Sequence, residues 1–172
     1  MGELMKNNTL VALTVCIGAV SILAPTAARA SDKSEIEALE SRFAAAVSNK
    51  DLDGIMKGYA AGQGLFVFDL VPPRQYVGSD AYRKDWQGFI GSFKGPIKFT
   101  VSDLSISSDG TIAYSHSIQH ISGTDTKGKP SDMTVRVSDV YRKAGGKWSI
   151  VQEHVSVPVD LETGKPDLNS TP

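Results

Sequence analysis

Two runs of β-branched and aromatic residues parted by a glycine pair constrain this chain more than any other feature. Thr134-Val-Arg-Val-Ser-Asp-Val-Tyr-Arg142 leads through Lys143-Ala-Gly-Gly-Lys147 into Trp148-Ser-Ile-Val-Gln-Glu-His-Val-Ser-Val-Pro158. Such flanks favour strands and the glycines mark a turn, so the segment reads as a β-hairpin. With Ala144-Gly145-Gly146 as a three-residue loop, Arg142 faces Trp148, Val140 faces Ile150, Ser138 faces Gln152 and Arg136 faces His154. That register collects Trp148, Ile150 and Val140 on one face. A two-residue Gly-Gly loop would shift every pair by one and separate Arg136 from His154. The three-residue loop is the preferred reading. It sets a guanidinium beside an imidazole on an apolar wall, which suits an anionic or oxyanion-bearing small molecule.

The chain opens with an export pattern. Met1 to Asn8 carries one lysine, Thr9 to Leu23 is almost unbroken apolar sequence, and Ala28-Arg29-Ala30 puts small residues ahead of a cut before Ser31. Residues 1–30 therefore read as a cleavable signal peptide, the apolar run being shorter than the roughly 20 residues of a spanning helix. A periplasmic or secreted protein with no stable membrane anchor is expected. Cys16 leaves with the leader, and Leu13-Thr-Val-Cys16 lacks the small residue that precedes a lipidated cysteine. The mature chain then has neither a disulfide nor a thiol nucleophile. Loss of Glu3, Lys6 and Arg29 moves the formal net charge from −1 to −2. With no basic run to track phosphates, nucleic acid is not expected as a partner.

Residues 31–160 are of single-domain length, followed by a polar tail over 161–172. Ser34-Glu-Ile-Glu37 has the form of a capping box, and Ile36, Leu39, Phe43, Ala46 and Val47 recur at helical spacing. Asp51 caps a short second helix, and Gly78-Ser79 starts a third carrying Tyr82, Trp86, Phe89, Ile90 and Phe93. A short strand over Leu65 to Val71 ends at Pro72-Pro73, and from Ile97 onward the periodicity is that of four antiparallel strands. The fold class is α+β: a curved, mainly antiparallel sheet packed on three N-terminal helices, with a hollow that can hold a ligand.

The strand after Gly110 extends the candidate wall. Ile112, Tyr114, His116, Ile118 and His120 alternate onto one face, and a loop centred near Thr126 sets His116 opposite Arg136. In that row the arginine charge disfavours protonation of His116 and His154, keeping an imidazole available as a base. The alternative is a hydrogen-bonded structural cluster. Asp69, beside Phe66-Val-Phe68, is either a carboxylate at the pocket mouth suited to proton abstraction or the cap of a backbone turn. Tyr59, Tyr76 and Tyr114 offer hydroxyl donors to a bound oxyanion, Ser156 follows His154 on the same face, and Trp86 serves packing, stacking or both. Zinc is not expected, since His116 and His120 stand roughly 13 Å apart on a strand and no His-Glu-x-x-His pattern occurs. No nucleophile elbow, dinucleotide fingerprint or phosphate loop is present, so no cofactor is expected.

Asp69-Leu-Val-Pro-Pro-Arg-Gln-Tyr-Val-Gly78, Ala81-Tyr-Arg-Lys-Asp-Trp86, Ala113-Tyr-Ser-His-Ser117, Arg136, and Gly146-Lys-Trp148 through His154-Val-Ser-Val-Pro158 together resemble the SnoaL-like, ketosteroid isomerase-like group of the nuclear transport factor 2-like superfamily. The resemblance runs from about Ser34 to Asp160 and implies a cone-shaped barrel with a deep pocket, in a homodimer. The hairpin is also similar to the calcium/calmodulin-dependent kinase II association domain, which implies that Arg136 and His154 line the pocket. Function transfers less well than fold. Two readings stay open: a pocket enzyme for cofactor-free proton transfer of isomerase, cyclase or dehydratase type, or a non-catalytic module that binds a small carboxylate or assembles. Val135, Val137, Val151, Val155 and Val157, opposite Arg136, offer an apolar surface for a partner subunit.

Overall fold

The fold follows from where each amphipathic segment can bury its apolar side. The computed structural model describes Met1 and residues 31–170, so the expected signal peptide and cleavage point lie outside the described residues. Helix α1 (Asp32–Ser48) starts one turn earlier than the capping-box reading, because Ser31 rather than Ser34 is its cap: the Ser31 hydroxyl accepts from the Ser34 N–H at 3.2 Å. Helix α2 (Leu52–Met56) is capped by Asp51 as expected, its carboxylate accepting from the Gly54 N–H at 2.9 Å. After a single 3-10 turn at Gly62–Gly64 come β1 (Phe66–Phe68), β2 (Tyr76–Val77) and α3 (Ser79–Gly91). Strands β3 (Lys98–Ser108), β4 (Ile112–Thr124), β5 (Pro130–Ala144) and β6 (Lys147–Ser156) complete the regular structure of the described residues.

One six-stranded sheet results, in the order β2-β1-β6-β5-β4-β3, antiparallel throughout except where β1 runs parallel to β6. The α+β expectation holds, with β1 and β2 added to the four long strands. Ile36, Leu39, Phe43, Val47, Tyr82, Trp86 and Ile90 from α1 and α3 pack against Phe99, Ala113, Ile121, Val135, Val137, Tyr141 and Ile150 from the sheet. Phe43 sits at the centre, edge-on to Tyr59, Trp86 and Phe99 at 5.5–6.0 Å between centroids. At the hairpin tip, Lys143 reaches back to Asp32 (2.9 Å) and Glu35 (2.5 Å) at the start of α1. Past β6, the tail turns at Asp160 and docks beside β5, where the Thr134 N–H donates to the Leu168 carbonyl at 2.7 Å.

The register of the terminal hairpin differs from the expected one in two ways that matter. Its loop is the two-residue Gly145-Gly146, with φ of +56° and +77°, and Ala144 pairs with Lys147. Both torsions lie in the region glycine occupies without a Cβ clash, and a loop of this kind matches strand twist. Between Val140/Gln152 and Tyr141/Ile150 the strands slip by one residue, which leaves Val151 as the extra residue of a β-bulge. The bulge switches the parity of β6. Trp148 and Ile150 point inward before it, and Glu153 points inward after it.

The consequence is a correction to the proposed wall. Arg136 pairs with Ser156 and Ile118, while His116 and His154 both pair with Ser138, so no straight row joins the three. All three are exposed, on the face turned away from the helices. The inward face is the other one. Val135 and Val137 lie in the core, with Val155 and Val157 packed against it, so they are not a free surface for a partner subunit.

Candidate active site

A cavity of about 330 Å³ opens between α3 and the concave face of the sheet. That is the lower end of the range for small-molecule sites, about 300–1,000 Å³. Trp86, Phe89, Phe99, Ile121, Met133 and Val135 make most of its wall apolar. Its polar groups are Asp69, Tyr82, Asp85, Gln119 and Glu153, with the exposed Lys84 as its one cationic lining residue. A second concavity of about 660 Å³, between α1, α2 and the hairpin tip, has no buried charged residue in its lining.

Glu153 is 4% exposed at the inner end of the cavity. Its Oε1 lies 2.6 Å from the Tyr82 hydroxyl, and its Oε2 accepts from Tyr59 at 2.9 Å. Tyr59 in turn accepts from the Trp86 indole N–H at 3.3 Å. The Tyr82 hydroxyl also lies 2.8 Å from Asp69 Oδ2. One phenol has one proton and cannot donate to two carboxylates at once. A second proton on one of the two acids satisfies both contacts, and burial assigns it to Glu153, whose carboxyl is pushed up to about 7 chiefly by desolvation. The chain then runs Glu153 to Tyr82 to Asp69, each donating to the next. Burial also drives the Tyr59 and Tyr82 phenols well above their ordinary range, with the Glu153 charge adding to it, so both stay protonated donors.

Next to this chain, the Tyr76 hydroxyl donates to Asp85 at 2.6 Å. Burial raises the Asp85 carboxyl, and the Asp69 charge adds to the effect. No group of three or more His, Cys, Asp or Glu side chains among the described residues is arranged to hold a metal ion.

Of the residues singled out from sequence, the fold brings together Asp69, Tyr76 and Trp86. Asp69 caps a turn and lines the cavity: Oδ1 takes the Leu70 N–H at 2.5 Å, and Oδ2 faces Tyr82. Trp86 is core packing and cavity wall at once. Arg136, His116, His154, Tyr114 and Ser156 are not in the cavity lining. Tyr114 is 58% exposed, and Ser156 stands on the outer face opposite Arg136. Tyr59, also offered by the sequence as a hydroxyl donor, stands beside the cavity against Glu153, whereas Glu153 and Tyr82 were missed as site residues. For Glu153 a signal was available: it alternates with Val155 and Val157, the apolar face of β6.

A helix-backed cone with a chain of carboxyls and phenols at the inner end of an apolar cavity defines a pocket fold of the nuclear transport factor 2-like type. The chain belongs to the SnoaL-like domain family, which matches residues 36–160. A nuclear transport factor 2-like protein of unknown function from Pseudomonas putida KT2440 is 31% identical, with a TM-score of 0.72 over 81% of this chain and 95% of its own. A protein from Xanthomonas campestris, provisionally named a calcium/calmodulin dependent protein kinase II association domain, is 22% identical with a TM-score of 0.63, over 74% and 88%. A protein from Streptomyces avermitilis, provisionally named a dehydratase of the same superfamily, is 16% identical with a TM-score of 0.64, over 73% and 95%. The last two likenesses show the fold alone. No curated protein matches the chain.

Proposed function

We propose that this SnoaL-like protein binds a small, neutral, carbonyl-bearing molecule and catalyses cofactor-free proton transfer within it. The observation that carries the reading is the Tyr82 hydroxyl, held between Asp69 and Glu153 at the inner end of an apolar cavity. A carboxylate ligand is disfavoured there, because the charge on Asp69, with Asp85 beside it, would repel it and Lys84 is exposed. A ketone or enone meets no such repulsion.

The ligand oxygen takes over the Tyr82 proton that otherwise caps Asp69, which frees the Asp69 carboxylate as base. The carbon–hydrogen bond beside the carbonyl breaks and its proton goes to Asp69. The developing enolate oxygen receives the Tyr82 proton, and Tyr82 is refilled from Glu153, where the negative charge ends. Reversal at a different carbon yields an isomer, and expulsion of a β-hydroxyl, which leaves as water with the proton held by Asp69 while the enol proton returns to Tyr82, and Tyr82's own to Glu153, yields a dehydration product.

The test is incubation of the protein with 2-tetralone and 1-indanone in deuterated buffer, with mass spectrometry of the ketones. Incorporation of deuterium faster than buffer alone, lost in Asp69→Asn, supports the reading. Ketone binding with no exchange would reduce the protein to a binding module. Failure to bind either ketone or any copurifying neutral carbonyl compound would remove the reading altogether.

Export and assembly belong to the same proposal. Cleavage after Ala30 is supported by the leader pattern alone, and the intact mass of periplasmic protein beginning at Ser31 is the check. A homodimer would form through the outer sheet face, where Phe68 and Tyr114 are exposed at 37% and 58%, and light scattering reads its mass.

A further inference from the structure

Behind the pocket acid stands a second buried acidic group that the mechanism above does not use. Asp139 of β5 is the direct register partner of Glu153 of β6, both point inward, and they are 2% and 4% exposed. Asp139 Oδ2 lies 3.4 Å from the Tyr141 hydroxyl, while Oδ1 has no donor among the described residues. The Tyr141 hydroxyl donates to Glu40 Oε1 of α1 at 2.8 Å and lies 2.9 Å from the Ser115 hydroxyl of β4. Glu40 is itself 3% exposed. No lysine or arginine among the described residues pairs with Glu40, Asp139 or Glu153.

An isolated ionised carboxylate is too costly to bury, and three without a cation cannot all ionise. Two facing buried acids can each keep a proton, and once one has lost its own the other donates to it. We infer that Asp139 is a positioning residue that holds a reserve proton for Glu153, with Tyr141 and Glu40 closing the inner end of the same chain. The inference rests on the reading of Glu153 as the proton source behind Tyr82. When Glu153 gives up its proton, the Asp139 O–H bond breaks, an O–H bond forms on Glu153, and the charge comes to rest on Asp139, facing the Tyr141 hydroxyl. The pocket acid is thus refilled from the core side, without a proton from bulk water.

The electrostatics agree. Burial, then the charges of Glu153 and Glu40, hold the Asp139 carboxyl well above its ordinary range, and burial raises Glu40. Every titratable group bearing on Glu153 belongs to this set: Tyr59 beyond α2, Tyr82 of α3, Asp69 beyond β1, Asp139 of β5 and Glu40 of α1.

Carbon-13 NMR of labelled carboxyls in the full ligand-free chain tests the inference apart from any activity. In the wild type the Glu153 resonance should move in two steps more than about one pH unit apart, the mark of coupled acids. Asp139→Asn should leave a single step. Tyr141→Phe, which keeps the ring and deletes the hydroxyl that favours ionised Asp139, should move the upper step to higher pH, and it serves if Asp139→Asn does not fold. A single Glu153 step in the wild type, unmoved in Tyr141→Phe, would overturn the inference. A chain that shows two steps yet exchanges no ketone would keep the coupled pair and lose the catalytic reading.

Discussion

Asp139 and Glu153 face each other across β5 and β6 with both carboxyls sealed beneath the helices. An acid placed there resists ionisation, so the native state holds protons that the unfolded chain has already released. Stability must therefore depend on pH in the sense opposite to that of a surface salt bridge.

Glu153 moves from 4.5 in the unfolded reference to about 7 in the fold. Between these values the native state binds more protons than the unfolded state, so stability falls as pH rises. At about 1.36 kcal/mol per unit, Glu153 alone removes about 3 kcal/mol between roughly pH 4.5 and pH 7.5. Asp32, Asp53, Asp109 and Asp160 are lowered by their hydrogen-bond donors, so their opposite contribution belongs to more acidic solution. Urea unfolding at about pH 5 and about pH 8 should show the higher midpoint at the lower pH, and Glu153→Gln should flatten the difference. Equal midpoints in the wild type would contradict the buried-acid assignment.

Tyr82→Phe deletes the hydroxyl shared by Asp69 and Glu153 and leaves the ring among Tyr59, Tyr76 and Trp86. Glu153 Oε1 then loses its partner in a buried setting, at a cost of about 1–3 kcal/mol. Chemical denaturation measures it. A neutral substitution would mean that water replaces the phenol.

Asp69→Asn has one carbonyl oxygen for the two donors that Asp69 accepts, the Leu70 N–H and the Tyr82 hydroxyl, and cannot take up a carbon-bound proton. Ketone deuteration should slow by about 100-fold or more, the usual contribution of a positioned base. Loss of one of these two hydrogen bonds predicts destabilisation by about 1 kcal/mol, read by urea unfolding, with the fold retained. Full activity in this variant would move the base elsewhere.

Arg136→Ala, His116→Ala and His154→Ala remove exposed side chains that do not line the cavity. Each should leave ketone affinity unchanged in a titration and stability within about 0.5 kcal/mol. Loss of binding in Arg136→Ala would show that the outer face reaches the ligand after all.

The hairpin, the three helices and their packing on a curved sheet were legible because each follows from local pattern. Gly145-Gly146 turns the chain, Asp51 caps a helix, and Tyr82, Trp86 and Ile90 recur at helical spacing. Asp69, Tyr76 and Trp86 reached the site region for similar reasons, flanking a short strand and riding on an amphipathic helix.

The inward face was another matter. A strict alternation from Trp148 predicts that Gln152 and His154 share its side, and one bulged residue at Val151 reverses that prediction for everything beyond it. Nothing in Ser149-Ile-Val-Gln152 announces a bulge. The burial of Glu153 depends on Tyr82, 71 residues away, and on Tyr59, 94 residues away. Sequence alone determined which elements form, because periodicity and turn chemistry act over a few neighbouring residues. Which side chains meet in the dry interior was decided only by tertiary structure, since a buried carboxyl is tolerated only where distant hydroxyls converge on it.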